Sequence, residues 1–561
     1  GVAFVEGLQG DDPHYLKTAA CAKHFAVHSG PERLRHEFNA EASLHDLYDT
    51  YLPAFKALVD AGVEAVMCAY NATNGEPCCG SSFLLQQILR EDWHFKGHVV
   101  SDCWALVDFY QGHKVVKDAR EAAALAIKKG VNLNCGSVYQ DGLLDAVKTG
   151  LVTEKEVDNL LATLLSTRFR LGMFDAETLN RYNSIPYSVV NSAAHREVAR
   201  KVARESVVLL KNNGALPLKT DLKKYFITGP NAASIDALLG NYYGLNSNLV
   251  TILEGIRAQI SAASQLQYRP GALLDRPNVN PIDWTTDEAK NSDVTIVVMG
   301  MTGLLEGEEG ESIASPHFGD RLDYNIPQNQ VDFLRKMRNN NDKPIIAVVT
   351  GGSPMNLADV HEIADAVLLV WYPGEEGGNA VADLIFGKAS PSGRLPVTFP
   401  KSLDDLPPYQ DYSMKGRTYR YMSAEPLYPF GFGLSYTRFS YSNLRLSKNA
   451  VTQKQPVEVQ VTVTNNGHLA GDEVVQLYLT HHASGAPFYE LKGFKRIHLA
   501  AGASQEVKFT LDADALKLIN EKGESFWQKG VVTISAGGSL PGSRSEALGA
   551  AQPAKGTITL K

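Results

Sequence analysis

Hydrophobic positions change their period twice along the chain, and the three resulting patterns predict three kinds of domain. Over residues 1–178, short apolar runs alternate with segments of helical spacing. The runs lie at 19–25, 63–70, 98–102 and 131–134, and the helical segments lie at 43–61, 82–92 and 117–129. This alternation predicts parallel strands covered by helices. A closed barrel needs eight such strands, so 1–178 is expected to be either an open sheet or, as the abrupt start favours, the C-terminal half of a (β/α)8-type barrel whose other half lies upstream of Gly1.

The second pattern consists of near-continuous apolar runs over residues 205–400. These runs lie at 225–228, 294–299, 345–349 and 366–371. Runs of this kind are typical of parallel strands that are buried on both faces, so an α/β sandwich domain is predicted. A polar linker at 179–204 precedes this domain, and a connecting segment rich in Pro, Tyr and Gly follows it at 401–438.

The third pattern, over residues 439–561, has a period of two. Val457, Val459 and Val461 alternate with polar residues, and turn signals separate several such stretches. Alternation of this kind predicts antiparallel strands, and a fibronectin type III-like β-sandwich is the expected fold. The chain as a whole is therefore an α/β multidomain protein with an all-β domain at its C-terminal end.

Composition narrows the range of partners. The 561 residues include 54 basic and 62 acidic ones, a net charge of -8, which argues against nucleic acid as a partner. Apolar runs long enough to cross a membrane are missing from the sequence. Its six cysteines lack metal-ligand spacing, so neither a metal nor another cofactor is expected. One or two disulfides would suit a secreted or periplasmic protein.

A carboxylate ends the third apolar run of the first domain. Barrel enzymes carry catalytic groups at the carboxyl ends of their strands, where Asp102 is predicted to lie. The alternative is that Asp102 only caps a helix beginning at 105–110. Lys23 and His24 lie near the end of the first run, where they either bind a polar ligand or play a structural role. Trp104 either stacks on a sugar or packs in the core.

A second group of carboxylates follows the apolar run at 294–299. Glu306, Glu308 and Glu309 lie within six residues that also include Glu311. Such a run is often only a solvated surface, but closely spaced carboxylates repel one another and can raise the pKa of one of them. One carboxylate that attacks and another that donates a proton are the groups that glycoside hydrolysis requires.

Motifs along nearly the whole chain resemble those of glycoside hydrolase family 3, which contains β-glucosidases and β-xylosidases. The matching stretches are GLQG at 7–10, KHF at 23–25, AYN at 69–71, VSD at 100–102, ESVVLLKN at 205–212, PGEEGG at 373–378, SGRLP at 392–396 and YPFGFGLSY at 428–436. The resemblance implies a barrel, an α/β sandwich and a fibronectin-like domain in that order. It also implies that the first barrel strands, with an Asp that grips two sugar hydroxyls, lie upstream of Gly1.

The resemblance also implies roles for individual residues. Asp102 is expected to be the nucleophile, Lys23 and His24 to bind the terminal sugar, and Tyr70 to line the site. Glu308 is the best match to the acid/base, with Glu306 and Glu309 left open. Cys103 and Cys135 are similar to a pair that is bridged in the xylosidase branch of the family. The alternative for these two cysteines is a pair of reduced core residues.

The expected function is that of a retaining exo-acting β-glycosidase that releases terminal β-D-glucose from β-glucosides or oligosaccharides. A β-D-xylosidase is the alternative. A β-N-acetylglucosaminidase or phosphorylase is less favoured, because residues 26–33 lack the Asp-Ser-His-like loop that these enzymes carry. A non-catalytic sugar-binding protein is the third class. The fibronectin-like domain is expected to pack on the other domains or to contribute to a homodimer.

Overall fold

The computed structural model describes residues 1–28, 30–308, 310–321 and 323–561. These residues form two compact units. The first unit comprises Gly1–Val189, Pro408–Met414 and Leu518–Phe526. The second comprises Val190–Pro407, Lys415–Lys517 and Trp527–Lys561.

A parallel sheet lies at the centre of the first unit. The elements are α1 (Val2–Gln9), β1 (Cys21–Phe25), β2 (Asn39–Ala40), α2 (Leu44–Asp46), α3 (Pro53–Asp60), β3 (Ala65–Cys68), β4 (Ala72–Thr73), β5 (Glu76–Pro77), β6 (His98–Ser101), α4 (Ala119–Lys129), α5 (Leu144–Lys148) and α6 (Glu154–Arg170), with π-helical segments at Leu47–Tyr51, Ser82–Asp92 and Tyr139–Leu143. Strand β3 pairs in parallel with β1 and β6, and Leu133 continues the sheet through a parallel bridge to Val100. Strands therefore join the sheet in chain order, as they do in a barrel of this type, and their carboxyl ends share one edge.

Local sequence explains the ends of the helices in this unit. Helix α4 begins where the Asp118 side chain accepts a hydrogen bond from the Glu121 amide, and it ends at Gly130 in the left-handed conformation. The helical spacing over 43–61 becomes several shorter segments, because Pro53 cannot donate the backbone hydrogen bond that a continuous helix would need there. The prediction that 43–61 is helical is therefore confirmed, but the segment is not one continuous helix.

A six-stranded sheet dominates the described part of the second unit. The elements of this α/β region are α7 (Ala193–Ser206), β7 (Val208–Asn212), β8 (Lys224–Thr228), α8 (Ile252–Arg257), β9 (Gln265–Arg269), α9 (Thr285–Lys290), β10 (Val294–Gly300), α10 (Gln328–Arg338), β11 (Ile345–Thr350), α11 (Ala358–Ile363), β12 (Ala366–Trp371), α12 (Gly377–Ile385) and α13 (Thr418–Tyr421). Strand order is β7-β12-β11-β10-β8-β9, and β7 alone among these runs antiparallel to its neighbour. Val297 and Met299 face one core cluster while Ile296 and Val298 face another, so the sheet is buried on both faces.

The C-terminal region forms a β-sandwich, as the period of two predicted. Its elements are β13 (Phe439–Leu446), β14 (Ala450–Val451), β15 (Val457–Asn465), β16 (Gly471–His481), β17 (Glu490–Leu499), β18 (Ser504–Leu511), β21 (Gly530–Gly537), α14 (Ser543–Ala547) and β22 (Ala554–Leu560). The short strands β19 (Leu518–Ile519) and β20 (Ser525–Phe526) pair with each other and belong to the first unit. The two sheets have the orders β13-β15-β18 and β14-β22-β21-β16-β17. Val457, Val459, Val461 and Val463 are fully buried between them.

The segments that join these regions are ordered. The linker at 179–204 contains most of α7, and the connecting segment at 401–438 contains α13. Within the first unit, the carbonyl oxygen of Tyr412 accepts a hydrogen bond from the Tyr51 hydroxyl at 2.7 Å. Of the helices in the described ranges, none combines the length and the apolar character needed to cross a membrane.

Candidate active site

Asp102 follows directly on the last residue of β6, at the edge where the parallel strands of the first unit end. Its amide donates to the carbonyl of Cys68, the last residue of β3, at 3.2 Å. Its Oδ1 accepts from the Cys103 amide at 2.9 Å. The residue is 8% exposed, and no described residue donates a well-directed hydrogen bond to Oδ2. Oδ1 is therefore fixed by a backbone donor, and Oδ2 is buried beside His24.

The structure brings Lys23, His24 and Tyr70 to this carboxylate. His24 Nε2 lies 3.2 Å from Asp102 Oδ2. Burial raises the pKa of Asp102, while the Cys103 amide, the Lys23 ammonium and the Tyr70 hydroxyl act to lower it. Burial also raises the pKa of Tyr70, so this phenol keeps its proton and remains a donor. The four side chains combine a buried carboxylate with donors beside it.

Sequence reasoning missed a second set of residues, which surrounds Tyr70. The guanidinium carbon of Arg35 lies 5.4 Å from the centre of the Tyr70 ring, and His36 packs edge-on against the same ring at 5.0 Å. His36 Nδ1 is 2.9 Å from the Asp108 carboxylate, and His113 Nε2 is 2.8 Å from the Tyr70 carbonyl oxygen. Arg35 and His36 come from a loop without a periodic pattern, so only the fold reveals their position.

The chain beyond Asp102 is a series of turns, and the helix expected to begin at 105–110 is absent from these described residues. Trp104 has a left-handed backbone with φ of 68°, and its amide donates to the Cys135 carbonyl at 2.7 Å. A disulfide joins Cys103 to Cys135, so the alternative of two reduced cysteines is wrong. These constraints replace the helical path, and the interpretation of Asp102 as a helix cap is therefore wrong as well.

Burial resolves the sequence alternative for Trp104, and a second disulfide lies nearby. The Trp104 side chain is 56% exposed, so its interpretation as a core residue is wrong, and stacking on a sugar stays a prediction. A second disulfide, which the sequence did not single out, joins Cys68 to Cys79. Together the two bridges flank the ends of β3 and β6, next to Asp102.

Glu306, on the acidic loop of the second unit, is held by four donors. Its carboxylate accepts from Arg321 Nε at 2.9 Å, from the Tyr372 hydroxyl at 2.8 Å, and from the Gly352 amide and Ser353 hydroxyl at 2.7 and 2.6 Å. Both oxygens are thus engaged within the unit. This arrangement suits a residue that anchors the loop better than one that exchanges a proton with a ligand.

Glu308 lies on the same loop. Its carboxylate accepts a hydrogen bond of 2.5 Å from the hydroxyl of Tyr242, whose side chain is 74% exposed. Gly307 makes this geometry possible: its φ is 153°, and a Cβ there would lie 2.6 Å from Asn241 Oδ1. Glu309 lies outside the described residues. In the described part of the chain, no group of three or more His, Cys, Asp or Glu side chains is placed to hold a metal ion.

Comparison with known proteins identifies the family. The N-terminal domain model of glycosyl hydrolase family 3 matches residues 1–167, the C-terminal domain model of that family matches 207–436, and a fibronectin type III-like domain model matches 473–540. A xylan 1,4-beta-xylosidase of Xylanibacter ruminicola is 35% identical over 92% of this chain and 77% of its own length. The chain belongs to glycosyl hydrolase family 3. Membership confirms the resemblance drawn from the motifs and makes the protein a glycoside hydrolase.

Other family 3 proteins extend the comparison. A periplasmic beta-glucosidase of Salmonella typhimurium is 34% identical over 93% of this chain and 72% of its own length. Among solved structures, a family 3 exo-beta-xylosidase in complex with a xylobiose aziridine probe superposes with a TM-score of 0.89 at 27% identity, covering all of this chain and 74% of that one. The beta-glucosidase of Listeria innocua in complex with isofagomine superposes with a TM-score of 0.85 at 27% identity. That match covers all of this chain and 78% of the glucosidase. The chain thus spans about three quarters of these relatives' length.

Proposed function

We propose that this chain is a retaining exo-β-glycosidase in which Asp102 is the nucleophile. The observation that carries the proposal is the place of the Asp102 carboxylate, which lies at a strand end, is fixed through Oδ1 and has His24 beside Oδ2. Relatives named as β-xylosidases and β-glucosidases support the same reaction class. Lys23, His24 and Tyr70 are proposed to bind hydroxyl groups of the terminal sugar.

The proposed reaction has two displacements. The Asp102 carboxylate attacks the anomeric carbon and the glycosidic bond breaks, while the departing oxygen takes a proton from an acid. The acid, now a carboxylate, then removes a proton from water, and the resulting hydroxide displaces Asp102 to release the sugar with its original configuration. Tyr70 donates and does not accept in this scheme, because burial keeps its phenol protonated.

Glu308 is the proposed acid/base. Glu308 accepts a hydrogen bond from the exposed Tyr242 hydroxyl, whereas Glu306 is occupied by Arg321, Tyr372 and two further donors. We expect Glu308→Ala to lose turnover on substrates with poor leaving groups and to regain it when azide is added. Glu306→Ala is the matched comparison, since azide should not rescue a residue that only anchors the loop. Rescue of Glu306→Ala alone would reassign the role.

Hydrolysis of nitrophenyl β-glucoside by Asp102→Ala tests the proposed nucleophile. We expect kcat/KM to fall by about 10³-fold or more, because the covalent step loses its attacking group. Asp118→Ala, at the cap of α4, controls for general effects of removing an Asp from this unit. Near-normal turnover by Asp102→Ala would refute the assignment, and an inactive wild-type chain would refute the proposed function.

A β-xyloside is the second candidate substrate, and the Cys103–Cys135 disulfide favours it, because the sequence resemblance ties this pair to the xylosidase branch. Glucose and xylose differ by one hydroxymethyl group, which a pocket discriminates by about 1–3 kcal/mol, or roughly 10–200-fold. Measuring kcat/KM on nitrophenyl β-xyloside and β-glucoside with one preparation decides between them. A ratio above about tenfold either way assigns the terminal sugar.

We further propose that the protein works in an oxidising compartment, secreted or periplasmic. Two disulfides support this, since such bridges persist outside reducing cytoplasm. When the protein from its native host is alkylated without reduction, mass spectrometry should find four of the six cysteines unmodified, because they are held in disulfides. A homodimer stays a prediction, and light scattering of the purified chain tests it.

A further inference from the structure

Asp108, in the turns that follow Asp102, is connected to Tyr70 by two routes. It is 5% exposed, and its Oδ2 lies 2.9 Å from Nδ1 of His36, whose ring packs edge-on against the Tyr70 ring at 5.0 Å between centroids. Its carbonyl oxygen accepts from the His113 amide at 2.7 Å, and His113 Nε2 lies 2.8 Å from the Tyr70 carbonyl oxygen. One buried residue therefore acts on both the ring and the main chain of Tyr70.

The chemistry of these contacts fixes the orientation of both imidazole rings. A carbonyl oxygen only accepts, so Nε2 of His113 carries a proton and donates a hydrogen bond to Tyr70. A carboxylate oxygen also accepts, so Asp108 receives a hydrogen bond from Nδ1 of His36. A histidine whose ring nitrogen is held in this way keeps one tautomer and one ring position. The two histidines are therefore suited to hold a neighbouring residue in place.

A close backbone contact keeps the loop of His36 against the turns after Asp102. Gly112 lies in these turns, and a Cβ at this position would come within 1.9 Å of the His36 carbonyl oxygen. The Gly112 amide also donates to the Asp108 carbonyl oxygen at 3.1 Å. Because a residue without a side chain is needed for this approach, the position of His36 is set by the turns that carry Asp108.

Tyr70 is the residue through which these contacts reach the reaction. Burial raises the pKa of Tyr70, so its phenol stays protonated, and its hydroxyl lowers the pKa of Asp102 against the opposing effect of burial. A carboxylate must be ionised to attack, so the hydroxyl contributes only while it is directed at Asp102. Contacts that hold the ring and the main chain of Tyr70 maintain this geometry.

We propose that Asp108 and His36 are positioning residues, which hold Tyr70 so that its hydroxyl stays directed at the Asp102 carboxylate. This role depends on the proposed function, because the position of Tyr70 affects turnover in this way only if Asp102 is the nucleophile. Asp108 and His36 need not touch the sugar, since both act through Tyr70. A purely structural role for the pair would instead lower turnover whether or not the Tyr70 hydroxyl is present.

A double-mutant cycle on kcat/KM for nitrophenyl β-glycosides separates the two roles. We expect Tyr70→Phe and Asp108→Ala each to lower kcat/KM by about tenfold, as loss of one hydrogen bond would, and the variant with both changes to match Tyr70→Phe alone. Asp108→Asn should recover most of the loss, because its amide oxygen also accepts from His36. Asp46→Ala is the matched control. Asp46 is another buried Asp of this unit, 8% exposed and 3.6 Å from His45, and its loss should leave kcat/KM unchanged.

The pH profile provides a second readout. Loss of the Tyr70 hydroxyl, or of its position, removes an effect that lowers the pKa of Asp102, so the acid limb of kcat/KM should move to higher pH in Tyr70→Phe and in Asp108→Ala. The variant with both changes should show no additional movement. The other titratable groups that act on Asp102 are unchanged in these variants: Cys21, Lys23, His24 and Arg35.

The outcomes distinguish this positioning role from the proposed function. Losses that multiply in the double variant, an acid limb that does not move in Asp108→Ala, or full activity in either single variant would overturn the positioning role in an active enzyme. An inactive wild type, or normal turnover by Asp102→Ala, would refute the reaction itself. If Asp108→Ala does not fold, His36→Leu decides in its place, because the His36 side chain is 44% exposed and should tolerate replacement.

Discussion

Asp102 shows how a reactive carboxylate can reduce the stability of the fold that holds it. Burial raises its pKa above the ordinary 3.8, and the neighbouring Lys23, Tyr70 and Arg35 offset part of that effect. In the unfolded chain the carboxyl is solvated and loses its proton first as the pH rises. The folded state therefore loses stability, relative to the unfolded state, as the pH rises through 3.8 toward the higher folded pKa.

From this sign we predict that Asp102→Asn raises the melting temperature at pH 7 while it abolishes turnover. The gain should shrink on acidification and vanish below about pH 3.8, where both states of the wild-type carboxyl are protonated. Calorimetry of both proteins at pH 7 and at the lowest pH where they remain folded measures the difference. An Asp102→Asn protein that melts below wild type at pH 7 would contradict the argument.

Arg35 is predicted to be a positioning residue for the nucleophile. Its guanidinium stacks on Tyr70 and lowers the pKa of Asp102, so its removal should leave Asp102 protonated to a higher pH. We expect the acid limb of kcat/KM to move to higher pH in Arg35→Met, with about tenfold lower activity at pH 5. Arg35→Lys should restore the limb, because it keeps the charge.

The control for this prediction is Arg33→Met, since Arg33 is an exposed residue of the same loop. A purely structural role for Arg35 would lower kcat/KM at every pH without moving the limb. That result, or failure of the Lys variant to restore the profile, would show that the charge of Arg35 does not act on Asp102.

At the scale of elements, the turn after β6 depends on a contact that is distant in sequence. The disulfide between Cys103 and Cys135 spans 32 residues, and the Cys135 amide donates to the Ser101 hydroxyl at 3.0 Å. We predict that Cys103→Ser with Cys135→Ser lowers the free energy of unfolding by about 2–4 kcal/mol. Because the Cys103 amide holds Asp102 Oδ1, kcat/KM should fall as well.

Urea unfolding and nitrophenyl glycoside assays on this double variant measure both effects. Cys21→Ser is the control, since Cys21 carries a free, exposed thiol in the same unit. Unchanged unfolding midpoint and activity in the double variant would mean that the turn keeps its shape without the bridge.

The same distinction between local and distant contacts explains how far the sequence predicts this fold. The helical segment at 82–92 and the strands at 225–228, 294–299, 345–349 and 366–371 follow from local periodicity, and the structure has elements there. The turns at 103–112 do not, because they depend on Cys135 and on the left-handed backbone of Trp104. In the candidate site, Asp102 was predictable from its place at a strand end. Arg35 was not predictable as a site residue, because the hydrophobic residues of its loop show no regular spacing.

At the scale of the whole molecule, a buried ion pair joins the α/β region to the fibronectin-like sandwich within the second unit. Arg394 Nη2 and Glu473 Oε1 are 2.6 Å apart, with side chains that are 8% and 5% exposed. Arg394 also donates to the Gly538 carbonyl at 3.1 Å. The motif SGRLP at 392–396, used above for its family resemblance, thus has a physical role in holding two regions together.

Removing one partner of this pair leaves the other as an uncompensated buried charge. We predict that Arg394→Met lowers the free energy of unfolding by about 3–5 kcal/mol, and that adding Glu473→Leu recovers part of the loss. Lys401→Met provides the comparison, because Lys401 pairs with Glu425 at 2.7 Å in an exposed position, where solvent screens the pair and its loss should cost little. Urea midpoints of the four proteins measure the series. If Arg394→Met were no more destabilising than Lys401→Met, the two regions would be held by apolar packing and not by this pair.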